Sequence, residues 1–262
     1  MDVLENRDAW QAEYERTWLA HYRATGETKW DIYNRPDNKE TPSGPAVDLA
    51  ASRLMLISSA GGYLPPLQQP FDAANDLGDY TIRTFPHTTD PGALAFAHDH
   101  YDHAAVDEDQ QVLLPLGHLH DLVREGVIGE LAPSVVSFMG YQPDAARVVD
   151  ETIPAILALA TAERADAALL VPSGPICSQS VGLIARALEM AGIATTLTTW
   201  NAGRTRVTRP PRAVYTRLAR GATLGRPHDV AQQRRVLEAT LALLAEEAPV
   251  KPVIMREQWE DA

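Results

Sequence analysis

From residue 50 onward, short apolar runs alternate with longer amphipathic segments along the chain. The short runs have the length of buried strands, and the longer segments have the period of helices. Predicted strands are 53–59, 80–85, 94–98, 135–139, 168–171, 194–199 and 212–218. Predicted helices are 116–126, 144–164, 178–192 and 229–248, with Gly126 and Gly192 as helix stops. This order predicts an α/β fold, a mostly parallel sheet with helices on both faces in Rossmann-like layers.

The first 45 residues follow a different pattern. We predict an N-terminal helical arm and linker in residues 1–45, followed by the α/β domain in residues 46–262. Four aromatic residues of the arm are spaced by four, which places their rings on one helical face. These are Trp10, Tyr14, Trp18 and Tyr22. Such a face must be buried, either on the chain's own α/β domain or in a homodimer formed through the arm.

Composition and charge narrow the classes of function. Of the 262 residues, 45% are hydrophobic, enough to bury a sizeable core. No run approaches the roughly 20 apolar residues of a membrane span, so no membrane association is expected. The net charge of −12 disfavours nucleic-acid binding, and the basic run 204–221 alternates with apolar residues, which predicts a solvated strand face. A single cysteine cannot form an internal disulfide, which favours the cytoplasm.

That cysteine, Cys177, lies between a predicted strand and a predicted helix. In parallel sheets, ligands bind beyond the carboxyl ends of the strands, where this residue falls. Unpaired N–H groups at a helix N-terminus stabilise a thiolate, so we expect a lowered pKa for the Cys177 thiol. Ser178 or Ser180 would cap the helix. The alternative is a buried cysteine that acts as a small hydrophobic residue.

The sequence HDHYDH, residues 98–103, is the densest cluster of titratable groups. If the preceding strand continues, His98, His100 and Asp102 point to one side. The three could then form a metal site, with His118 or His120 as a fourth ligand. Alternatively, one histidine is a general acid or base oriented by Asp102, or the loop is only structural. We predict His98 and His100 as proton-transfer residues and keep a metal ion as the alternative.

Several loops at the strand ends carry candidate substrate-binding residues. The glycine pair in SSAGGYL would let backbone amides approach an anionic group, but the fingerprints of dinucleotide and phosphate loops are absent, so no nucleotide site is expected. The predicted substrate-binding residues are Gly61, Gly62, Tyr63, Tyr101, Asp102, Tyr141, Gly174, Ser178 and Gln179.

The segment PSGPICSQSVGLIARALEMAGI, residues 172–193, resembles the active-site segment of the glycine/sarcosine/betaine reductase selenoprotein B family. The likeness is greatest to the shorter branch with the selenoprotein subunit of D-proline reductase, and it covers most of residues 50–248. In that family a selenocysteine precedes a cysteine by three positions. Cys177 matches the cysteine, and Gly174 falls at the selenocysteine position. The resemblance implies reductive cleavage of a substrate C–N bond, with a nucleophile that Gly174 cannot supply.

Three functions remain open. In the first, the protein is an enzyme whose nucleophile is Cys177, acting on a small, polar, amino-acid-like substrate. Reductive cleavage of a C–N or C–heteroatom bond would then need an external thiol, and non-redox thiol chemistry is the variant. In the second, the protein is a metal-dependent enzyme that uses His98, His100 and Asp102. In the third, it is a non-catalytic binding subunit.

Overall fold

Strands and helices alternate along residues 2–259, which the computed structural model describes. Residue 1 and residues 260–262, parts of the predicted arm and domain, lie outside the described residues. The strands in this range are β1 (Arg53–Ser58), β2 (Gly62–Tyr63), β3 (Ile82–Pro86), β4 (Ala95–Phe96), β5 (Glu130–Leu131), β6 (Ser134–Phe138), β7 (Ala167–Val171), β8 (Ala194–Thr199), β9 (Ala213–Arg217) and β10 (Val253–Gln258). The α-helices are α1 (Arg7–Tyr14), α2 (Ala20–Thr25), α3 (Ala104–Glu108), α4 (Leu116–Arg124), α5 (Ala145–Arg147), α6 (Ile153–Ala162), α7 (Pro175–Met190), α8 (Ala202–Thr205) and α9 (Val230–Ala242).

The main sheet has the strand order β10-β9-β8-β7-β1-β6-β3, with β5 also paired to β1. Every pair in it is parallel except β3 with β6. Along β1, Leu54 and Leu56 face the cluster that includes α4 and α9 residues, whereas Met55 and Ile57 face the cluster of α6, α7 and the arm. Both faces of the sheet are therefore covered, which confirms the predicted α/β fold.

Some predicted elements differ in detail. The strand predicted at 94–98 ends at Phe96 and pairs only with β2, in a separate sheet, so His98, His100 and Asp102 do not alternate along a strand as expected. The helix predicted at 144–164 is interrupted by a π-helical turn, Val148–Thr152, just before Pro154, which has no N–H to continue the α pattern. None of the helices in residues 2–259 is long and apolar enough to cross a membrane.

The N-terminal arm packs on the rest of its own chain. A π-helical turn, Glu15–Leu19, joins α1 and α2 into one helical stretch. Within it, Trp10 stacks on Tyr14, Tyr14 on Trp18 and Trp18 on Tyr22. Trp10, Tyr14 and Trp18 are buried in the same cluster as residues of α6 and α7. The aromatic face that suggested a dimer through the arm is thus covered by this chain itself.

The basic run 204–221 is not the solvated strand face that its alternation predicts. Arg212 is fully buried, and its guanidinium donates to the carboxylate of Glu189 at 2.9 Å. Arg204 and Arg220 lie at the ends of neighbouring strands, beside a cavity described below. Arg206, Arg209, Arg217 and Arg220 are exposed, but of these only Arg217 belongs to a strand, β9. Basic residues in this run are therefore placed by tertiary contacts rather than by the strand period.

Candidate active site

A cavity of about 210 Å³ lies beyond the carboxyl ends of β6, β7, β8 and β9. Beside it, β1 lies between two strands that follow it much later in the chain, so the strand order reverses there, which is where α/β sheets bind ligands. The cavity is lined by Trp30, His100, Tyr141, Gly174, Pro175, Ile176, Cys177, Arg204 and Arg220. Trp30 comes from the arm, so the arm forms part of the cavity wall.

Cys177 is the third residue of α7, close to the helix N-terminus as the sequence predicts. The helix begins at Pro175 with Gly174 as its N-cap, three residues before the predicted start. Proline at the first helical position suits this early start, since its fixed φ is helical and its missing N–H is not needed there. The predicted capping by Ser178 or Ser180 is wrong: Ser178 Oγ donates to Gly174 O, and Ser180 Oγ donates to Gly140 O.

The Cys177 thiol is almost enclosed by protein, with 1% of the residue exposed. The Ser173 hydroxyl lies 3.3 Å from Sγ and 3.1 Å from Ser59 O, so two acceptors share its proton. Burial raises the pKa of the thiol, although hydrogen bonds from Ser173, Ser59 and the Gly174 backbone act in the opposite direction. The expected lowering of this pKa is therefore wrong, because desolvation of a thiolate outweighs the helix N-terminus and the nearby donors.

His98 is the closest ring to the thiol, with Nε2 3.3 Å from Cys177 Sγ. Its Nδ1 accepts the backbone N–H of His100 at 3.3 Å, so the proton of the neutral ring is on Nε2 and faces the sulfur. The ring is fully buried, and burial holds the pKa of His98 well below its ordinary value. His98 is thus a neutral donor toward Sγ, an arrangement that favours the thiolate once it forms.

His100 is held between an aromatic ring and a carboxylate. Its ring stacks on Tyr141 with the centroids 3.5 Å apart, and its Nε2 lies 3.4 Å from Asp76 Oδ1. Burial lowers the pKa of His100 although Asp76 raises it, so the ring is neutral. With Nε2–H directed at Asp76, Nδ1 carries a lone pair, and this buried atom has no hydrogen-bond partner among residues 2–259. The arrangement is that of a base oriented by a carboxylate.

Asp102 does not orient either histidine. Its carboxylate is exposed and accepts the Ala104 N–H at the start of α3. Tyr101 lies under the loop, where its hydroxyl donates to Ala60 O at 2.9 Å, and its ring meets the His98 ring edge to face. His103 bonds to the carbonyl of His98 at 2.9 Å. Tyr101 and His103 therefore support His98, while Tyr101 and Asp102 line an outer cleft next to the cavity.

Only some of the predicted substrate-binding residues line the cavity, and the others pack behind the loops that form it. Tyr141 and Gly174 line the cavity. Gly61 has a positive φ and packs so tightly on Ala97 that a Cβ would lie 2.7 Å from the Ala97 carbonyl oxygen. Gly62 pairs with Phe96 in the small sheet, and Tyr63 packs beside the cluster around Tyr141. The glycine loop thus holds the HDHYDH loop in place.

Ser178 and Gln179 face the interior of the protein. Ser178 Oγ lies 3.2 Å from Thr199 Oγ1 in addition to its bond to Gly174 O. Gln179 donates from Nε2 to the Tyr33 hydroxyl at 2.8 Å, and this hydroxyl donates to Pro143 O at 2.7 Å. The Ser178 bond thus joins α7 to β8, and the Gln179 bond joins α7 to the arm. Neither residue lines the cavity.

The histidines do not assemble into a metal site. Within residues 2–259, no three histidine, cysteine or acidic side chains form a group that could hold a metal ion. His118 bonds to Gln233 at 2.7 Å, and His120 lies 3.0 Å from His87, in a different groove. No fourth ligand from helix α4 therefore joins His98 and His100.

Sequence reasoning missed several residues at the cavity. The missed residues are Trp30, Ser59, Asp76, Ser173, Arg204 and Arg220. Ser59, Ser173 and Arg204 lie in the connections that follow β1, β7 and β8, Arg204 within the short helix α8, so their position at the carboxyl edge was a usable signal. Asp76 and Trp30 reach the site through long connections, and no local pattern marks them.

Comparison with known proteins gives matches to one group of reductases. A model of the glycine/sarcosine/betaine reductase selenoprotein B family matches residues 25–170. The gamma subunit of D-proline reductase from Acetoanaerobium sticklandii is 29% identical over 199 residues, which cover 76% of this chain and 81% of that subunit. The sarcosine reductase complex component B subunit beta of Peptoclostridium acidaminophilum is 34% identical over 122 residues, 45% of this chain. No solved structure matches this chain significantly.

The match to component B subunits is partial. The glycine reductase complex component B subunit gamma of Peptoclostridium acidaminophilum is 26% identical over 175 residues, which cover 64% of this chain. The aligned residues amount to 39% of that subunit, and those of the sarcosine reductase subunit to 28%. The chain therefore aligns with most of the D-proline reductase subunit but with less than half of the component B subunits.

Proposed function

The chain belongs to the glycine/sarcosine/betaine reductase selenoprotein B family, and from this membership we propose that it is a thiol-dependent reductase subunit with Cys177 as its nucleophile. The substrate is a small amino-acid-like molecule with a leaving group on the carbon next to its carboxylate. The relatives are named as subunits of D-proline, sarcosine and glycine reductases. These names have in common a role in amino-acid reduction as one subunit of a larger enzyme.

One observation carries the proposal. The sulfur of Cys177 lines a small cavity, and His98 Nε2 and Ser173 Oγ each lie 3.3 Å from it. The same cavity contains His100, whose Nδ1 has no partner and whose Nε2 faces Asp76. This arrangement supports the proposal, because it provides at one site a thiol, two groups that can donate to its anion and an imidazole with a free lone pair. A purely structural cysteine needs none of these groups.

The first step forms a bond between carbon and sulfur. His100 Nδ1 takes the thiol proton, and Sγ attacks the substrate carbon next to the carboxylate. The C–N bond breaks, and its electron pair leaves with the amine, which departs neutral from an ammonium substrate. His98 and Ser173 donate to Sγ while it carries negative charge. Because burial raises the pKa of Cys177, the thiol is mainly protonated before the substrate binds, so its proton has to be removed in this step.

The second step needs an external thiol, because the chain has one cysteine. The external thiolate attacks Sγ, the C–S bond breaks, and the carbon receives the electron pair and a proton from the His100 imidazolium. Cys177 is left in a mixed disulfide, which a second external thiol reduces. Overall, two thiols are oxidised to one disulfide, and the substrate C–N bond is replaced by C–H. Gly174, at the selenocysteine position of the resemblance, takes no part in these steps.

The test is reductive turnover by the complex isolated from its native source, with dithiothreitol as the thiol and D-proline, glycine and sarcosine as substrates. We expect product from at least one of them. Cys177→Ser should reduce turnover by at least about a thousandfold, because it removes a nucleophile. Arg23→Ala, an exposed change at the end of α2, is the matched control and should retain turnover. A Cys177→Ser complex as active as the wild type would disprove the role of the thiol.

A non-catalytic binding subunit is the second candidate. The raised pKa of Cys177 and the missing side chain at position 174 favour it. In that case Cys177→Ser leaves both the turnover of the complex and its substrate affinity unchanged, so the same experiment separates the two functions. We place either activity in the cytoplasm, where thiols remain reduced.

A further inference from the structure

Two cations in the cavity wall have no role in the steps above. Arg204 lies in α8 after β8, Arg220 follows β9, and both line the cavity that contains Cys177. We infer that these two guanidinium groups bind the carboxylate of the substrate and so restrict the substrates to small carboxylic acids. The inference rests on the proposed function, and it adds the group by which the substrate is recognised.

Neither guanidinium is neutralised by the protein. In the described part of the chain, no carboxylate lies within ion-pair distance of Arg204 or Arg220, and the buried Nη1 of Arg204 has no hydrogen-bond partner. Asp99 and Asp102 share the outer cleft with Arg220 without pairing to it. Burial and the charge of Arg35 lower the pKa of Arg204. Arg204 is half-buried, whereas Arg220 is exposed. A partly buried cation without an anionic partner, as Arg204 is here, is unfavourable, and a bound anion would reduce that penalty.

The Arg204 side chain is already oriented. Its guanidinium carbon lies 5.5 Å from the ring centroids of both Trp30 and Tyr33, within the range of cation–π contact. Trp30 in turn meets Tyr141 edge to face, with the centroids 5.8 Å apart. Because the stacking restricts the side chain before any ligand arrives, less conformational entropy is lost when the guanidinium binds a carboxylate.

The positions of the groups fit an acid whose reacting carbon adjoins its carboxylate. A Cβ on Gly174 would lie 3.2 Å from Cys177 Sγ and 3.9 Å from Arg220 Nε. Cys177 Sγ and Arg220 Nε therefore both lie near the same side of Gly174, so a small acid bound beside Gly174 would have its reacting carbon near the sulfur and its carboxylate near the arginine. The first-turn N–H groups of Ile176 and Cys177, beside the same cavity, have no intrahelical partners and also favour an anion there.

The observations favour a carboxylate over a larger anion. The cavity, at about 210 Å³, is smaller than the roughly 300–1,000 Å³ of typical ligand pockets. Planar guanidinium groups match a planar carboxylate with two parallel hydrogen bonds. A site for a phosphorylated ligand would have to hold the phosphate and the rest of the molecule in the same small space.

The experiment measures binding in Cys177→Ser, so that its result does not depend on the thiol. Calorimetric titrations use glycine, D-proline, D-prolinamide and inorganic phosphate as probes, all with the full-length chain. We expect D-proline or glycine to bind and D-prolinamide to bind at least about tenfold more weakly. In this background, Arg204→Ala and Arg220→Ala should each weaken amino-acid binding at least about tenfold, whereas Arg23→Ala should not change it.

A lysine variant distinguishes the effect of the positive charge from that of the guanidinium geometry. Its thermal melting curve shows whether a loss of affinity comes from misfolding. Arg204→Lys keeps the charge but not the planar fork, so we expect intermediate affinity with an unchanged thermal melting curve. Equal binding of D-proline and D-prolinamide, stronger binding of phosphate than of either amino acid, or no amino-acid binding at all would each overturn the inference. Amino-acid binding that depends on the arginines, together with full turnover by Cys177→Ser complexes, would retain the carboxylate site and reject the nucleophile.

Discussion

His98 Nε2 lies 3.3 Å from Cys177 Sγ, in a site where both side chains are almost fully buried. Because His98 Nδ1 accepts a backbone N–H, the ring presents a donor to the sulfur and not a lone pair. His98 therefore stabilises a thiolate but does not remove its proton. The two histidines that the sequence groups together thus have different places in the site: His98 donates to the sulfur, and His100 has a free lone pair on Nδ1.

Replacing His98 should make the thiol less reactive. A hydrogen bond to a charged group contributes about 1.5–3 kcal/mol, so its loss raises the pKa of Cys177 further. We expect His98→Ala to slow the reaction of Cys177 with iodoacetamide at neutral pH by about 10- to 100-fold. His98→Gln, which keeps an N–H donor, is the control and should recover part of the rate. Equal rates in both variants and the wild type would show that the bond has no effect on the thiol.

The pH dependence of alkylation should report the burial of Cys177. Because burial raises the pKa of this thiol above its ordinary value, the reactive thiolate forms at higher pH than in a free cysteine. The rate of iodoacetamide reaction should therefore still be rising at pH values where glutathione, measured alongside, has reached its plateau. A profile that levels off below that of glutathione would restore the low thiol pKa expected from the helix N-terminus.

Acid should destabilise the fold through its buried histidines. The pKa of His98 is held well below its ordinary value in the folded protein, so below about pH 6.5 the unfolded chain binds a proton that the folded chain does not. The contribution of neutral His98 to the stability of the fold is therefore fully present above about pH 6.5. It is lost as the pH falls toward the pKa of His98 in the folded protein. Urea unfolding between pH 7 and pH 5 should show a smaller loss in His98→Gln than in the wild type. His21→Gln, at a half-buried position in α2, is the matched control and should leave the loss unchanged.

The hydrophobic pattern predicted the central strands β1, β7 and β8, because each is a short run that is buried on both faces of the sheet. The site was harder to predict from local sequence. The direction of the Cys177 pKa shift depends on packing around Ser59 and Gly140, which no local pattern encodes. Arg204 looks like any other member of a basic run until the fold places Trp30 against it.

Gly174 stands where the selenoprotein pattern that this chain resembles has a selenocysteine. A single substitution tests how close positions 174 and 177 are to each other. Gly174 has extended backbone dihedrals that any residue adopts, and a Cβ there would lie 3.2 Å from Cys177 Sγ. We expect Gly174→Cys to form a disulfide with Cys177 when oxidised. Thiol titration should find no free thiol before reduction and two after it. Gly92→Cys, in a distant 3-10 turn, should keep two free thiols throughout.

Asp76 should act on turnover through His100. Its carboxylate lies 3.4 Å from His100 Nε2 and fixes the tautomer that leaves a lone pair on Nδ1. Asp76→Asn can donate its amide N–H to Nε2, which would move the ring proton to Nδ1 and remove the base. We expect kcat of the native complex to fall by about 10²–10⁴-fold with little change in amino-acid affinity.

The control for this change is Asp31→Asn, an exposed carboxylate next to Trp30 on the arm. It removes one negative charge near the cavity without touching either histidine. If Asp31→Asn and Asp76→Asn reduce kcat equally, the effect is one of overall charge and not of the tautomer. If Asp76→Asn weakens amino-acid binding as much as it slows turnover, Asp76 positions the substrate instead of the base. A loss in kcat alone, confined to Asp76→Asn, is the result that assigns proton transfer to His100.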